Sequence, residues 1–200
     1  MTDIEATSDP ASRSGLVLRV MSLPEGMPQT VTELEIPGVT EDSSDDLQFS
    51  AEHVYRAVVF AGGGLAWSPD GTRLAFVSGH EGTSADVYVY SRDTGQIARL
   101  TDDPSHAYQL SWSPDGRYIF YTGASNFGSG AGYVMEGVWV ARADGADVRS
   151  LYEPDSVSGA EVLVDWVSED TVLVHSWRRD WGGVNLVAER NQCAGLAGCL

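Results

Sequence analysis

The pentapeptide Trp-Ser-Pro-Asp-Gly occurs twice, at residues 67–71 and 112–116, and the two tryptophans stand 45 positions apart. Apolar runs flank each copy: Leu65-Ala66-Trp67 and Leu74-Ala75-Phe76-Val77 at the first, Leu110-Ser111-Trp112 and Ile119-Phe120-Tyr121 at the second. The motif dictates a hairpin. Pro69 and Pro114 preset φ at the first central position of a turn, and Asp70 and Asp115 suit the second. Gly71 and Gly116 take the left-handed conformation that closes it. The flanks have strand composition, and the bulk of Trp67 and Trp112 suits the space between neighbouring sheets. A degraded third copy starts at Val162. Its Trp166 stands 54 positions after Trp112, and Val167-Ser168-Glu169-Asp170 replaces the turn.

A second turn follows each hairpin. Asp93-Thr94-Gly95 joins residues 86–90 to 97–100, and Ala143-Asp144-Gly145 joins 137–141 to 148–152. Each unit thus holds four antiparallel strands, a to d, and four strands per 45–54 residues is the period of a propeller blade. Residues 65–78 and 110–123 resemble the WD40-like (PD40) repeat of TolB-type propeller proteins, whose hallmark is this Trp-Ser-Pro-Asp-Gly turn. The resemblance spans about 57–188. The expected fold is all-β, a partial propeller of about three four-stranded blades plus half a blade.

The segments divide accordingly. Residues 1–14 read as a disordered N-terminus and 15–39 as a half-blade, with strand c at 16–21, a turn at 24–26 and strand d at 31–36. Residues 40–56 read as an acidic connecting loop. Three blades follow at 57–101, 102–152 and 153–188, the last with strand c at 184–188, and 189–200 read as a tail. Propellers close with roughly four to eight blades. The chain therefore reads as a piece of a longer propeller, or as one of two chains sharing a ring. Open sheet edges invite pairing, so the isolated chain is expected to self-associate.

Composition narrows the function. The chain carries 29 acidic and 12 basic residues, for a formal net charge of -17, and every basic residue is Arg. Without Lys there is neither a P-loop nor a Schiff-base amine. The acidity argues against nucleic acid as a partner and fits solubility or adaptation to high salt. Leu16-Val17-Leu18 is broken by Arg19, so no membrane span or export signal is readable at this start. The resemblance implies a periplasmic or cell-envelope setting. Cys193 and Cys199 match no zinc spacing, and Glu41-Asp42-Ser43-Ser44-Asp45-Asp46 lacks the Gly and terminal Glu of an EF-hand.

In an up-and-down blade the a–b and c–d turns share one face, and the b–c and d–a loops share the other. The first set is tight; the second is long and irregular (79–85, 101–108, 123–132, 153–160, 177–183). Variable loops on a rigid scaffold carry binding, so a protein or small ligand is expected on the second face. Trp177, Arg178, Arg179 and Trp181 form a cluster of hot-spot residue types, against which stands local cation–π and ion-pair packing. His80 and His106 fall on the same face, and Asn126 and Phe127 sit in a Gly-rich b–c loop that precedes a strand and so is no phosphate loop. No metal or other cofactor is implied, and no G-x-S-x-G elbow occurs. The leading reading is a non-enzymatic binding module. The alternative is the propeller segment of a prolyl-oligopeptidase-like serine peptidase whose catalytic residues lie elsewhere. A metal-dependent propeller lyase is the third.

Overall fold

A computed structural model describes residues 2–6, 16–36, 63–81, 84–103, 105–125, 134–152, 161–166, 171–178 and 187–194. Fourteen strands and no helix occur among them. The first Trp-Ser-Pro-Asp-Gly unit forms β4 (Leu65–Trp67), β5 (Arg73–Ser78), β6 (Asp86–Ser91) and β7 (Ile97–Arg99), paired in that order as one antiparallel sheet. The second forms β8 (His106–Trp112), β9 (Tyr118–Ser125), β10 (Val134–Arg142) and β11 (Val148–Tyr152) with the same connectivity. Both are the a-b-c-d meander that the repeat period implies.

Each motif builds its turn in the same way. Ser68 Oγ accepts from the Arg73 N–H at 2.9 Å and donates to Asp70 Oδ1 at 2.6 Å, and Asp70 Oδ1 accepts from the Thr72 N–H at 3.0 Å. Ser113 repeats this with the Tyr118 N–H at 2.9 Å and Asp115 Oδ1 at 2.6 Å, and Asp115 accepts from the Arg117 N–H at 3.0 Å. Gly71 and Gly116 both sit at φ of 69°, where a Cβ would crowd the backbone. The motif is thus a self-contained unit of local hydrogen bonds.

Trp112 locks the two blades together. Its Nε1–H donates to the Ala66 carbonyl at 2.8 Å, and the Arg73 guanidinium lies 4.8 Å from its ring centroid. Arg73 Nη2 also donates to the Gly116 carbonyl at 2.6 Å. The innermost strands β4 and β8 adjoin, but β8 bulges between Tyr108 and Ser111, and Gln109 takes a left-handed φ of 54°. The bulge lets the Leu110 N–H reach the Gly63 carbonyl at 2.8 Å. Bulges of this kind re-aim a strand at the cost of local pairing. Leu18, Leu34, Leu74, Phe76, Val77, Ile119 and Tyr121 are buried in the core.

The ends differ from the sequence reading. Residues 1–14 were expected to be disordered, yet Thr2–Ala6 forms β1 and pairs antiparallel with β2 (Leu16–Val20). Thr2, Ile4 and Ala6 alternate with Asp3 and Glu5, a period-2 pattern too short to stand out alone. Strand d of this sheet is β3 (Gln29–Glu33), two residues earlier than expected. The N-terminal element is therefore a three-stranded b-c-d sheet, ordered β1-β2-β3, rather than a half-blade of c and d. The third repeat gives β12 (Glu161–Trp166), β13 (Thr171–Arg178) and β14 (Val187–Ala194). β14 runs past the blade boundary at residue 188 and takes in Cys193, which the tail at 189–200 was expected to hold. Its sequence lacks alternation, and backbone pairing with β13 supplies what side-chain pattern does not. The acidic loop at 40–56 lies outside the described residues.

Candidate functional site

The face that carries the b–c and d–a loops is organised around one buried carboxylate. Asp86 opens strand c of the first blade and is only 1% exposed. Its Oδ2 accepts from Arg99 Nη2 at 2.7 Å, and its Oδ1 accepts from Thr101 Oγ1 at 3.0 Å and the Asp103 N–H at 3.3 Å. Thr101 Oγ1 in turn accepts from the Val87 N–H at 3.0 Å. Burial pushes the Asp86 carboxyl above its usual range, against the opposing pull of Arg99 and Thr101. Arg99 also bridges to Asp102 at 2.6 Å and Glu81 at 3.3 Å. One guanidinium thereby ties the b–c loop to the d–a loop.

The tie extends into the second blade. The Tyr121 hydroxyl donates to Asp103 Oδ2 at 2.7 Å, and burial followed by the Asp103 carboxylate raises its pKa. Tyr121 stacks on Trp139, its cross-strand partner, with centroids 6.0 Å apart. Phe76 and Tyr88 are the corresponding cross-strand pair of the first blade and stack at 5.6 Å. Among the described residues no group meets hydrogen-bond geometry with the buried Tyr88 hydroxyl, and burial pushes its pKa up to about 12.

The two histidines on this face are held in different surroundings. His80 stands edge-on to Phe76 and Tyr88, with Nδ1 3.4 Å from Glu35 Oε1 and Nε2 3.4 Å from Thr32 Oγ1. It bridges the N-terminal sheet to the first blade. His106 Nδ1 accepts from the Ala85 N–H at 2.9 Å, and burial lowers its pKa, so the neutral ring is the favoured form. Among the described residues no group of three or more His, Cys, Asp or Glu is placed to hold a metal ion. Trp177 and Arg178 lie at the end of β13, facing Glu161 and Val187 across the ladder. Arg179, Trp181, Asn126 and Phe127 lie outside the described residues.

Sequence reasoning missed Asp86, Arg99, Thr101 and Asp103. The available signal was an acid at the first position of an otherwise apolar strand, Asp86-Val87-Tyr88-Val89-Tyr90, followed by Arg99-Leu100-Thr101-Asp102-Asp103 where strand d ends. A carboxylate opening an apolar strand becomes buried there and requires a cationic partner.

No protein-family model matches the chain. In sequence, it is 35% identical over 96 residues to the uncharacterized peptidase YuxL of Bacillus subtilis, which is 48% of this chain and 12% of that protein. In structure, it resembles a protein described as TolB from Agrobacterium tumefaciens, with a TM-score of 0.51, 20% identity, and coverage of 97% of this chain and 61% of that one. It likewise resembles the acylaminoacyl peptidase of Pyrococcus horikoshii, with a TM-score of 0.53, 15% identity, and coverage of 94% of this chain and 30% of that one. The chain thus spans less than two thirds of the length of the relatives it matches. No helix among the described residues is long and apolar enough to cross a membrane. The architecture is that of an all-β, TolB-like propeller of antiparallel sheets, two of them four-stranded and two three-stranded among the described residues.

Proposed function

We propose that the chain is a non-enzymatic propeller module that binds a protein or small ligand on the face of its b–c and d–a loops. The observation that carries this reading is the Asp86–Arg99–Thr101–Asp103–Tyr121 network. It fastens the loop stems of two blades to each other through buried and half-buried hydrogen bonds, and a rigid stem under variable loops is what recognition requires. His80, His106, Asn126, Phe127, Trp177, Arg178, Arg179 and Trp181 are the proposed contact residues. Open blade edges also favour self-association. The test is site-specific photo-crosslinking in a native extract, with the probe at Glu81 on the loop face or at Thr94 on the turn face. Adducts from Glu81 are expected. Adducts from Thr94 alone would remove the loop-face reading.

One observation favours a second reading, the propeller segment of a serine peptidase: the 35% identity to YuxL over 96 residues. In that case the catalytic Ser, Asp and His are supplied by polypeptide beyond these 200 residues. A fluorophosphonate probe applied to the natural full-length product separates the two. Labelling of a serine outside this chain supports the peptidase; an unlabelled product supports the binding module.

A further inference from the structure

The opposite face, formed by the a–b and c–d turns, carries two grooves at successive seams. The first, of about 720 Å³, lies between the N-terminal sheet and the first blade. Met21, Leu23 and Met27 of the β2–β3 connector line it, together with Trp67, Gly71 and Arg92. The second, of about 360 Å³, lies at the seam of the two intact blades and is lined by Arg73, Gly116, Arg117, Tyr118, Arg142 and Asp144. The a–b turn of the first blade is the wall between them: Gly71 faces one groove and Arg73 the other. The Arg92 N–H is bonded to the Thr72 carbonyl of that same turn at 2.9 Å.

The chemistry of the two grooves differs. Leu23 is 64% and Met27 is 84% exposed. Among the described residues, the other large apolar side chains left exposed are Ile97 and Val148, which open strand d of the next two sheets. Exposed apolar residues therefore recur at the c–d corner of three consecutive sheets, on an otherwise strongly acidic chain. Leu23 and Met27 share one groove, and exposed apolar side chains grouped in this way mark an interaction surface. The second groove concentrates three guanidinium groups. Arg73 is preorganised by Trp112 and the Gly116 carbonyl, Arg117 pairs with Asp115, and Arg142 pairs with Asp144 at 2.6 Å. The Arg142–Asp144 pair is solvent-exposed, and such pairs give way readily to a competing carboxylate. Asp70 is hydrogen-bonded by Ser68 and Thr72, and the charge of Asp115 is offset by the Arg117 guanidinium. Arg92 makes no ion pair with the described residues.

The geometry points to a docking site for an extended peptide that sets an apolar anchor into the first groove and lays carboxylates across Arg92 onto Arg73, Arg117 and Arg142. The site is distinct from the loop face and independent of the function proposed there. The probe is a fluorescein-labelled synthetic peptide, Leu-Leu-Gly-Gly-Glu-Glu-Gly, titrated with the full chain by fluorescence anisotropy. Saturable binding near about 100 µM is expected for a contact of this size. Replacing both glutamates of the peptide by glutamine weakens it about tenfold. Met27→Asp in the protein, a change at an exposed position that leaves folding intact by circular dichroism, weakens it by about tenfold or more. Arg142→Ala weakens it about threefold, and Glu81→Gln on the other face leaves it unchanged. Each of three results would overturn the site: no saturable signal, equal binding of the glutamine peptide, or unaltered binding by Met27→Asp. Sedimentation showing a dimer that Met27→Asp dissociates would also overturn it, by assigning the surface to a second copy.

Discussion

The two faces of this propeller are built from the same strands by opposite means. On the turn face, Ser68 and Ser113 make matching bonds within six residues of chain, and the two motifs share the same serine–aspartate, serine–amide and aspartate–amide bonds. On the loop face, Asp86 reaches Arg99, Thr101 and Asp103, and Tyr121 reaches back to Asp103 across the blade seam. Local bonding repeats because it needs only the motif. Long-range bonding does not repeat: Asp86 ties down the first blade, while Gly137 and Glu136 stand in the corresponding strand of the second. The difference teaches that the turn face specifies the fold, whereas the loop face individualises each blade.

The comparison breaks hardest at Asp86. Asp86→Ala leaves the Arg99 guanidinium facing Glu81 and Asp102 alone and strands Thr101. Loss of one partner from a buried pair costs about 3 kcal/mol, read from the urea midpoint at constant m. A loss as small as that of a surface residue would mean that solvent replaces the carboxylate and the network fastens nothing. Next comes Gly123, at the loop-face end of β9. A Cβ there would press on Trp139 Cζ3, 2.9 Å from its Cη2 and 3.0 Å from Ser105 Oγ. Gly123→Ala is expected to destabilise by about 2 kcal/mol through overpacking, and Trp139→Phe alongside it should restore part of the loss.

The turn face should yield less and yield it evenly. Ser68→Ala and Ser113→Ala each remove a partner of one backbone N–H and one carboxylate, for about 1 kcal/mol apiece. Unequal losses in the two variants, measured by the same denaturation, would sever the parallel between the motifs.

The smallest effect, and the sharpest separation of the faces, is in pH. The Ser68 and Thr72 hydrogen bonds hold the Asp70 carboxyl down to about 2. For Asp115, the bonds from Ser113 and Arg117 outweigh a burial effect that acts the other way, leaving it below its usual range. Their stabilisation is complete above the unfolded carboxylate value of about 3.9 and is lost as pH falls through the lowered folded values. Asp86 is raised by burial, so its contribution has the opposite sign. It favours folding below about 3.9 and is lost as pH rises through the folded value. Carboxyl carbon shifts followed by NMR should therefore show Asp86 protonating first on acidification and Asp70 last. The reverse order would refute the assignment of burial to one face and of hydrogen bonding to the other. His106 adds a term nearer neutrality. Because burial lowers it, its stabilisation is present above about 6.5 and is lost as pH falls through the folded value.

The strands of both intact blades were legible from residues alone. Trp67, Pro69, Asp70 and Gly71 fix a turn whatever surrounds them, and the apolar runs on either side have no other use. The edges were less legible. Thr2–Ala6 and Val187–Ala194 are strands because a neighbouring strand offers its backbone, a fact absent from their own composition. Of the candidate site, strand parity separated the two faces; His80 follows β5, while His106, expected in the 101–108 loop, opens strand β8. The network that supports those loops was not legible, since Asp86 and Arg99 are thirteen positions apart and meet only through the pairing of β6 with β7.

The sequence by itself determined the repeat, the two turns and their chemistry, and the four-strand blade, because each depends on bonds among residues close along the chain. Only the tertiary structure decided which acid is buried, how Trp112 and Arg73 clamp one blade to the next, and where apolar side chains remain uncovered. Burial and cross-blade contact depend on distances that the chain order does not encode locally. They follow from how the sheets stack about their axis.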